Sequence, residues 1–322
     1  MSYSFNTMSS SDQIMVSICC LSYNHEKYIE QALGSFLAQK VDFKYEVLIH
    51  DDASLDDTQS IIRKYQADYP DLIFPILQEE NQRSKTGGGM DPRFNYPRSR
   101  GKYIAVCEGD DYWMDIRKLQ VQVDFLEKNS AYSGCFCDHV IVDENGVVQK
   151  EWAANFKRDI EQIDVFSSGG WYANAGLVFR NELVFDWDKF KGINGGDRYQ
   201  ATLLTDNGKK LGYIDRQMCA YRVHSGGIYS KKSSVKKYLK IFEDFKKYQS
   251  SKYYKKYRTE IKKKLSASAY VLGENALIQR NWKDYFYYLG QSIACTTFES
   301  RIFNFKMFVK SFVKPLITRG SN

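Results

Sequence analysis

From Ile14 onward, short apolar runs alternate with stretches in which apolar residues recur every three or four positions. This is the rhythm of strands and helices taking turns in an open βα sheet. IMVSICCLSY (residues 14–23) is too continuously apolar for a solvent-facing element and predicts a buried first strand. Ile29, Leu33, Phe36 and Leu37 then fall at helical spacing, with Asn24 as the expected N-cap. Residues 45–49 predict a second strand, and Ile61, Ile62 and Tyr65 a helix that begins near Ser54 and Asp57 and ends at Tyr69-Pro70. Further strands are expected at 73–77, 103–107 and 134–142, with a helix from Asp115 carrying Leu119, Val123 and Leu126. Strand-like runs recur at 174–180 and 211–222, while NQRSKTGGGMDPRFN (residues 81–95) reads as a glycine-rich loop too polar to pack.

Beyond Ser233 the strand pattern stops, and Leu239, Phe242, Phe245 and Tyr248 recur at helical spacing among lysines. A last segment, RIFNFKMFVKSFVKPLI, puts Phe305, Phe308, Val309 and Phe312 on one face and Lys306 and Lys310 away from it, predicting an amphipathic basic helix.

The charge follows this division. The net +7 is concentrated between Lys231 and Lys264, where fourteen Lys and Arg face three Asp and Glu; elsewhere acids outnumber bases, 36 to 32. At 322 residues, 43% of them hydrophobic, the chain is long enough to bury a core without disulfides. The seven cysteines form neither a paired framework nor zinc spacing, and read as buried thiols of a reducing compartment. No run approaches the roughly 20 apolar residues that span a bilayer, and the N-terminus lacks a basic leader. The expected location is cytoplasmic, with peripheral attachment to the inner face of the membrane left open.

Candidate chemistry sits where the strands end. Three expected strands run into acid-bearing turns: YNHE, HDDAS and CEGDD. In open α/β sheets ligands bind outside the carboxyl ends of the strands, so three such turns at one edge define a site. A nucleotide suits it: Asp51 or Asp52 would accept hydrogen bonds from a base or ribose, and Glu108, Asp110 and Asp111 would hold a hard divalent cation against phosphates. Crowded carboxylates repel unless solvated or neutralised, which is why CEGDD asks for a cation. Arg222 would pair with diphosphate oxygens. Trp113, Trp171 and Tyr172 would offer ring faces on which a ligand stacks, core packing being the alternative for each. His25, His50 and His139 look too scattered in sequence to join a metal cluster.

VSICCLSYNHEKYIEQALGSFLAQ, YEVLIHDDASLDDT and RGKYIAVCEGDDYWMDIRKLQ, and more loosely GINGGDRY and YRVHSGG, resemble family 2 glycosyltransferases of the GT-A fold, particularly bacterial enzymes of surface-polysaccharide assembly. The resemblance covers about residues 14–228. It implies a Rossmann-like, mixed but mostly parallel sheet flanked by helices, with a nucleotide-binding half to about residue 112 and an acceptor half to about 228. Residues 229–322 would be an appended basic helical region.

The resemblance also assigns roles. Glu108-Gly109-Asp110 matches the DXD motif that holds Mg²⁺ or Mn²⁺, with Glu108 where the family has Asp, so Asp110 carries the expected coordination and Asp111 is accessory. Tyr23, Asp51 and Asp52 match the nucleoside contacts, and Gly196-Asp197 the catalytic base. His224 matches a loop that closes on the donor through metal or diphosphate.

The expected activity is an inverting, metal-dependent transfer from a UDP-linked nucleotide sugar to a hydroxyl of a glycan or lipid-linked glycan. Two alternatives stand beside it. A sugar-phosphate nucleotidyltransferase would carry a glycine-rich phosphate loop after the first strand, where this chain has LSYNHEKY. A non-catalytic carbohydrate- or membrane-binding protein on the same scaffold would have lost the metal site. The basic C-terminal part would suit an anionic membrane surface or a lysine-coated helical hairpin; no nucleic-acid signature accompanies it.

Overall fold

A computed structural model describes residues 13–151, 157–169, 172–182, 193, 195–227 and 234–295. The chain divides into two compact units: residues 1–162, 170–187 and 196–230 form the first, and 163–169, 188–195 and 231–322 the second.

The first unit is built on one nine-stranded sheet: β1 (Ile14–Ser22), β2 (Lys44–Asp51), β3 (Ile73–Leu77), β4 (Tyr103–Val106), β5 (Tyr112–Trp113), β6 (Tyr132–Val142), β7 (Val148–Glu151), β8 (Leu177–Arg180) and β9 (Lys210–Arg222). The order is β3-β2-β1-β4-β8-β6-β9-β5, with β7 beside β6. It is parallel through β3-β2-β1-β4 and mixed beyond, where β8 runs antiparallel to both β4 and β6 while β9 is parallel to β6. The expected mixed α/β architecture is therefore present. The short β5 and β7 were hidden in the sequence because neither is long enough to show a period.

Helices α1 (Ile29–Leu37), α2 (Thr58–Asp68), α3 (Gln82–Thr86), α4 (Lys118–Lys128), α5 (Gln162–Ser167) and α6 (Gly196–Leu204) follow in order. On α1, Ile29, Ala32, Leu33 and Phe36 are buried, and the Phe36 ring meets Trp113 at 4.7 Å between centroids. Burying a side chain of that size stabilises the fold by about 1.5–3 kcal/mol. Asn24 does not cap this helix. It sits at φ 56°, its Oδ1 accepting from the Leu55 amide, so its short polar side chain ties the turn after β1 to the turn after β2.

Residues 83–87 are exposed, as their polarity suggests, but Met90, Asp91 and Asn95 at the end of the loop are buried. Asn95 is fully buried and donates to the carbonyl of Cys20 and to Asp91 Oδ1; Arg98 donates to the carbonyls of Phe74 and Ile49. Polar side chains here serve as partners for strand carbonyls, which pays the desolvation cost of burying them.

The second unit consists largely of α7 (Ser234–Ser250), α8 (Arg258–Ile278) and α9 (Trp282–Ala294). Phe242, Phe245 and Tyr248 are buried as their spacing predicts, whereas Leu239 is 36% exposed. Phe166 packs among Tyr248, Tyr254 and Tyr257 with tilted or edge-on rings at 5.1–5.3 Å, and Asn281 caps α9 by accepting from the Asp284 amide. The expected amphipathic helix around Phe305, Phe308, Val309 and Phe312 lies outside the described residues. Among those described, no helix is long and apolar enough to cross a membrane, and all seven cysteines are free and buried.

Candidate active site

Because β1 lies between β2 and β4 in parallel register, the turns after all three strands emerge at one edge. Backbone hydrogen bonds lock them together: Asp52 donates to the Ser22 carbonyl at 3.0 Å and Gly109 to the Leu21 carbonyl at 2.8 Å. Asn24 and Ala53 both adopt left-handed backbone, φ 56° and 63°, a cost that concentrates at functional turns.

The two aspartates of HDDAS are used differently. Asp51 is fully buried; Oδ2 accepts from the hydroxyls of Ser22 and Ser54, and Oδ1 from the Ser54 amide and Gln59 Nε2. Asp52 accepts one backbone amide on each oxygen, from Gln82 at 2.7 Å and Arg83 at 3.1 Å. Tyr23 faces solvent, 42% exposed.

In the turn after β4 the carboxylates separate in role. Asp110 Oδ2 lies 3.0 Å from His224 Nε2 and 3.6 Å from His25 Nε2. Its burial alone would raise the pKa, but the His224 hydrogen bond and the charges of His25 and His224 prevail and lower it. These three side chains offer ligand atoms within 4.8 Å of one another, the one such cluster among the described residues. His25 thus belongs to the cluster that its isolation in sequence argued against: β1 and β4 pair directly, so the turns that follow them are neighbours.

Glu108 and Asp111 do not join that cluster. Glu108 Oε1 accepts from Asn174 Nδ2 at 2.7 Å and Oε2 is buried without a partner; burial, then the nearby carboxylates, push its pKa up. The same Asn174 nitrogen is 3.4 Å from Oδ1 of Asp197, which is exposed in the first turn of α6. Asn174 carried no signal in the sequence, yet it links two predicted carboxylates. Asp111, 3% exposed, accepts the Arg222 amide at 2.8 Å, and burial beside Asp110 and Glu108 raises its pKa well above the usual range.

Arg222 is a brace rather than an open phosphate hook. Its guanidinium donates to the carbonyls of Asp110, Asp143 and Glu144 and to Gln31 Oε1, and lies 4.8 Å over the Tyr28 ring. The Tyr28 ring also meets His224 edge-on at 4.7 Å. Arg222 and Tyr28 together fix the end of β9, and with it His224, above Asp110.

The aromatic expectations divide. Trp113 is 4% exposed, donates Nε1 to the Ala175 carbonyl and carries the Lys118 ammonium 4.3 Å from its ring centre. Its indole packs in the core against the Phe36 ring rather than lying open at the surface. Tyr172 is half-buried against Phe136 at 5.3 Å, and burial, then the charge of Asp197, raises the pKa of its hydroxyl. Trp171 lies outside the described residues.

The family model described as "Glycosyl transferase family 2" matches residues 17–194. An uncharacterized protein of Mycobacterium tuberculosis is 34% identical over 217 residues, 66% of this chain and 60% of its own length, so the chain spans about 60% of that relative. The UDP-Glc:α-D-GlcNAc-diphosphoundecaprenol β-1,3-glucosyltransferase WfgD of Escherichia coli is 29% identical over 139 residues, 43% of this chain and 51% of WfgD. Among solved structures, S. aureus TarS in complex with UDP-GlcNAc superposes with a TM-score of 0.63 at 18% identity, covering 88% of this chain and 82% of TarS. The Pyrobaculum calidifontis mannosyltransferase PcManGT, with GDP-Man and Mn²⁺, gives 0.54 at 16% identity, covering 95% and 83%. At these identities the likeness carries the fold, which is GT-A.

Proposed function

Since this chain belongs to glycosyl transferase family 2, we propose that it transfers a sugar, with inversion, from a UDP-linked donor to a hydroxyl of a glycan or lipid-linked glycan. The observation that carries the reading is one edge of the sheet holding Asp110 against His224 and, through Asn174, Glu108 near the exposed Asp197. WfgD is named for transfer from UDP-Glc, and TarS and PcManGT were solved with UDP-GlcNAc and with GDP-Man.

Asp110 and His224 form a donor set that fits a divalent cation, carboxylate oxygen beside imidazole nitrogen. Mn²⁺ or Mg²⁺ bound there would supply Lewis-acid neutralisation of the departing diphosphate. Asp197 takes the proton from the acceptor hydroxyl as that oxygen bonds to the anomeric carbon; the bond from that carbon to the diphosphate breaks and its electron pair leaves with UDP. Asn174 orients Asp197. Of the two aspartates, Asp52 is the better nucleoside contact, because each of its oxygens accepts one bond whereas Asp51 is saturated from four donors. Arg222 acts as a positioning residue. The residues up to about 228 act as the transferase domain, and the lysine-rich helices dock on an anionic membrane that presents the acceptor.

Calorimetric titration with UDP, with and without Mn²⁺, tests the donor site: metal-dependent binding is expected, and its absence would sink the proposal. UDP release from UDP-glucose, UDP-galactose and their N-acetyl forms then identifies the donor. Asp197→Asn abolishes transfer and spares UDP binding if Asp197 is the base; sustained turnover removes it from that role.

A further inference from the structure

The imidazole of His25 has no task in the mechanism above, yet its position is tightly built. Its amide donates to Thr58 Oγ1 at 2.8 Å, and its carbonyl accepts from Tyr28 and Ile29 at 2.9 Å, which fixes the backbone between α2 and the start of α1. The ring is buried to 14% exposure. Neither ring nitrogen makes a hydrogen bond among the described residues: Nδ1 is buried without a partner, and Nε2 stops 3.6 Å short of Asp110 Oδ2. A cation bound at Nε2 would give that nitrogen the partner it lacks.

The neighbouring chain makes room for this ring. A Cβ at Gly109 would lie 3.1 Å from His25 Nδ1 and 2.8 Å from Ile29 Cδ1, so glycine in the turn after β4 lets the imidazole stand against it. Nε2 then faces Asp110 Oδ2 at 3.6 Å while His224 Nε2 meets the same oxygen at 3.0 Å, and the three side chains offer ligand atoms within 4.8 Å of one another. Ligands at ~2.1 Å from a common ion, set at right angles, are about 3 Å apart, so small movements close the set.

We propose that His25 is a third protein ligand of the cation held by Asp110 and His224, and that it sets the metal preference of the site. The inference rests on the reading of Asp110 and His224 as a cation site. Two imidazoles and one carboxylate favour Mn²⁺ and later first-row ions over Mg²⁺, which takes oxygen ligands and keeps its water. A site built from carboxylates alone would show no such bias.

The test uses the full chain with Mn²⁺ as probe, with and without UDP, read by the electron paramagnetic resonance of free and bound Mn²⁺ and by pulsed detection of coupled nitrogen. Two coupled nitrogens are expected in the wild type, and one in each of His25→Gln and His224→Ala. His25→Gln should weaken Mn²⁺ by on the order of 10–100-fold, with Mg²⁺ affinity, measured by competition, nearly unchanged. A single nitrogen in the wild type, lost with His224→Ala and kept in His25→Gln, overturns the role of His25 and leaves the cation site standing. Absence of Mn²⁺ binding in the wild type with UDP present overturns both. If the His25 variant fails to fold, as judged by its melting transition, the wild-type nitrogen count decides alone.

Discussion

His224 Nε2 stands 3.0 Å from Asp110 Oδ2, joining the loop after β9 to the turn after β4 across 114 residues of sequence. Neither residue holds this geometry by itself. The Arg222 guanidinium reaches back to the Asp110 carbonyl at 2.9 Å and Asp111 accepts the Arg222 amide, so the two turns are stitched by backbone as well as by side chains. Asp110→Asn should keep the stitching but remove the anionic ligand. Metal-dependent UDP affinity is expected to fall on the order of 10–100-fold and transfer by about 100-fold or more, with an unchanged melting transition. A variant that retains metal-dependent binding would take Asp110 out of the site.

Asn174 touches both Glu108 and Asp197 with one amide nitrogen, at 2.7 and 3.4 Å. Asn174→Ala would leave Glu108 Oε1 without that donor and let Asp197 drift from the acceptor. The expected result is a kcat lowered about tenfold, with KM for the donor within twofold of wild type. If Asn174 only maintained the fold, KM and kcat would change together with the melting temperature.

The buried Asp91 offers a stability test independent of activity. Burial, with Asp197 adding to it and Asn95 and Arg98 opposing, lifts its pKa from the ordinary 3.8 to about 7. Between those values the folded state holds a proton that the unfolded chain has released, so stability falls as pH rises from about 4 to about 7. Asp91→Asn cannot ionise and can still hydrogen-bond Asn95. Relative to wild type it should gain about 2 kcal/mol between pH 5 and pH 8. Urea melts at the two pH values measure this; a pH-independent difference would rule out ionisation of Asp91 as the cause.

What the sequence disclosed followed from burial. β1, β2 and β4 read as strands because Val16, Ile18, Ile49 and Ala105 are each almost wholly buried, leaving continuous apolar runs. Their acid-bearing turns could be read as one edge because parallel strands put their carboxyl ends together. What failed was whatever depends on strand order. His25 and Asp110 are 85 residues apart in sequence, and only the β1–β4 pairing makes them neighbours. Trp113 stands two residues after Asp111, so its chemistry suited a sugar platform as well as a core; its burial and its bond to the Ala175 carbonyl put it in the core. Polarity misled only at the end of residues 81–95, where Asn95 is spent on the Cys20 carbonyl rather than on water.

Membrane docking by the second unit can be tested without truncating the chain. Lys252, Lys255 and Lys256 are exposed beside Tyr253, itself 54% exposed, and Lys252 and Lys256 lie 5.4 and 4.9 Å over the rings of Tyr253 and Tyr257. Such a patch combines cations for anionic headgroups with aromatic rings suited to the interface. Each lysine near the surface contributes about 1 kcal/mol, so the triple Lys→Glu variant should lose most of its co-sedimentation with phosphatidylglycerol vesicles. Its binding to neutral phosphatidylcholine vesicles and its UDP affinity should not change. Wild-type binding should weaken as salt rises from 0.05 to about 0.5 M, because the Debye length shortens to a few ångströms. Equal pelleting of variant and wild type on anionic vesicles would remove these lysines as the anchor.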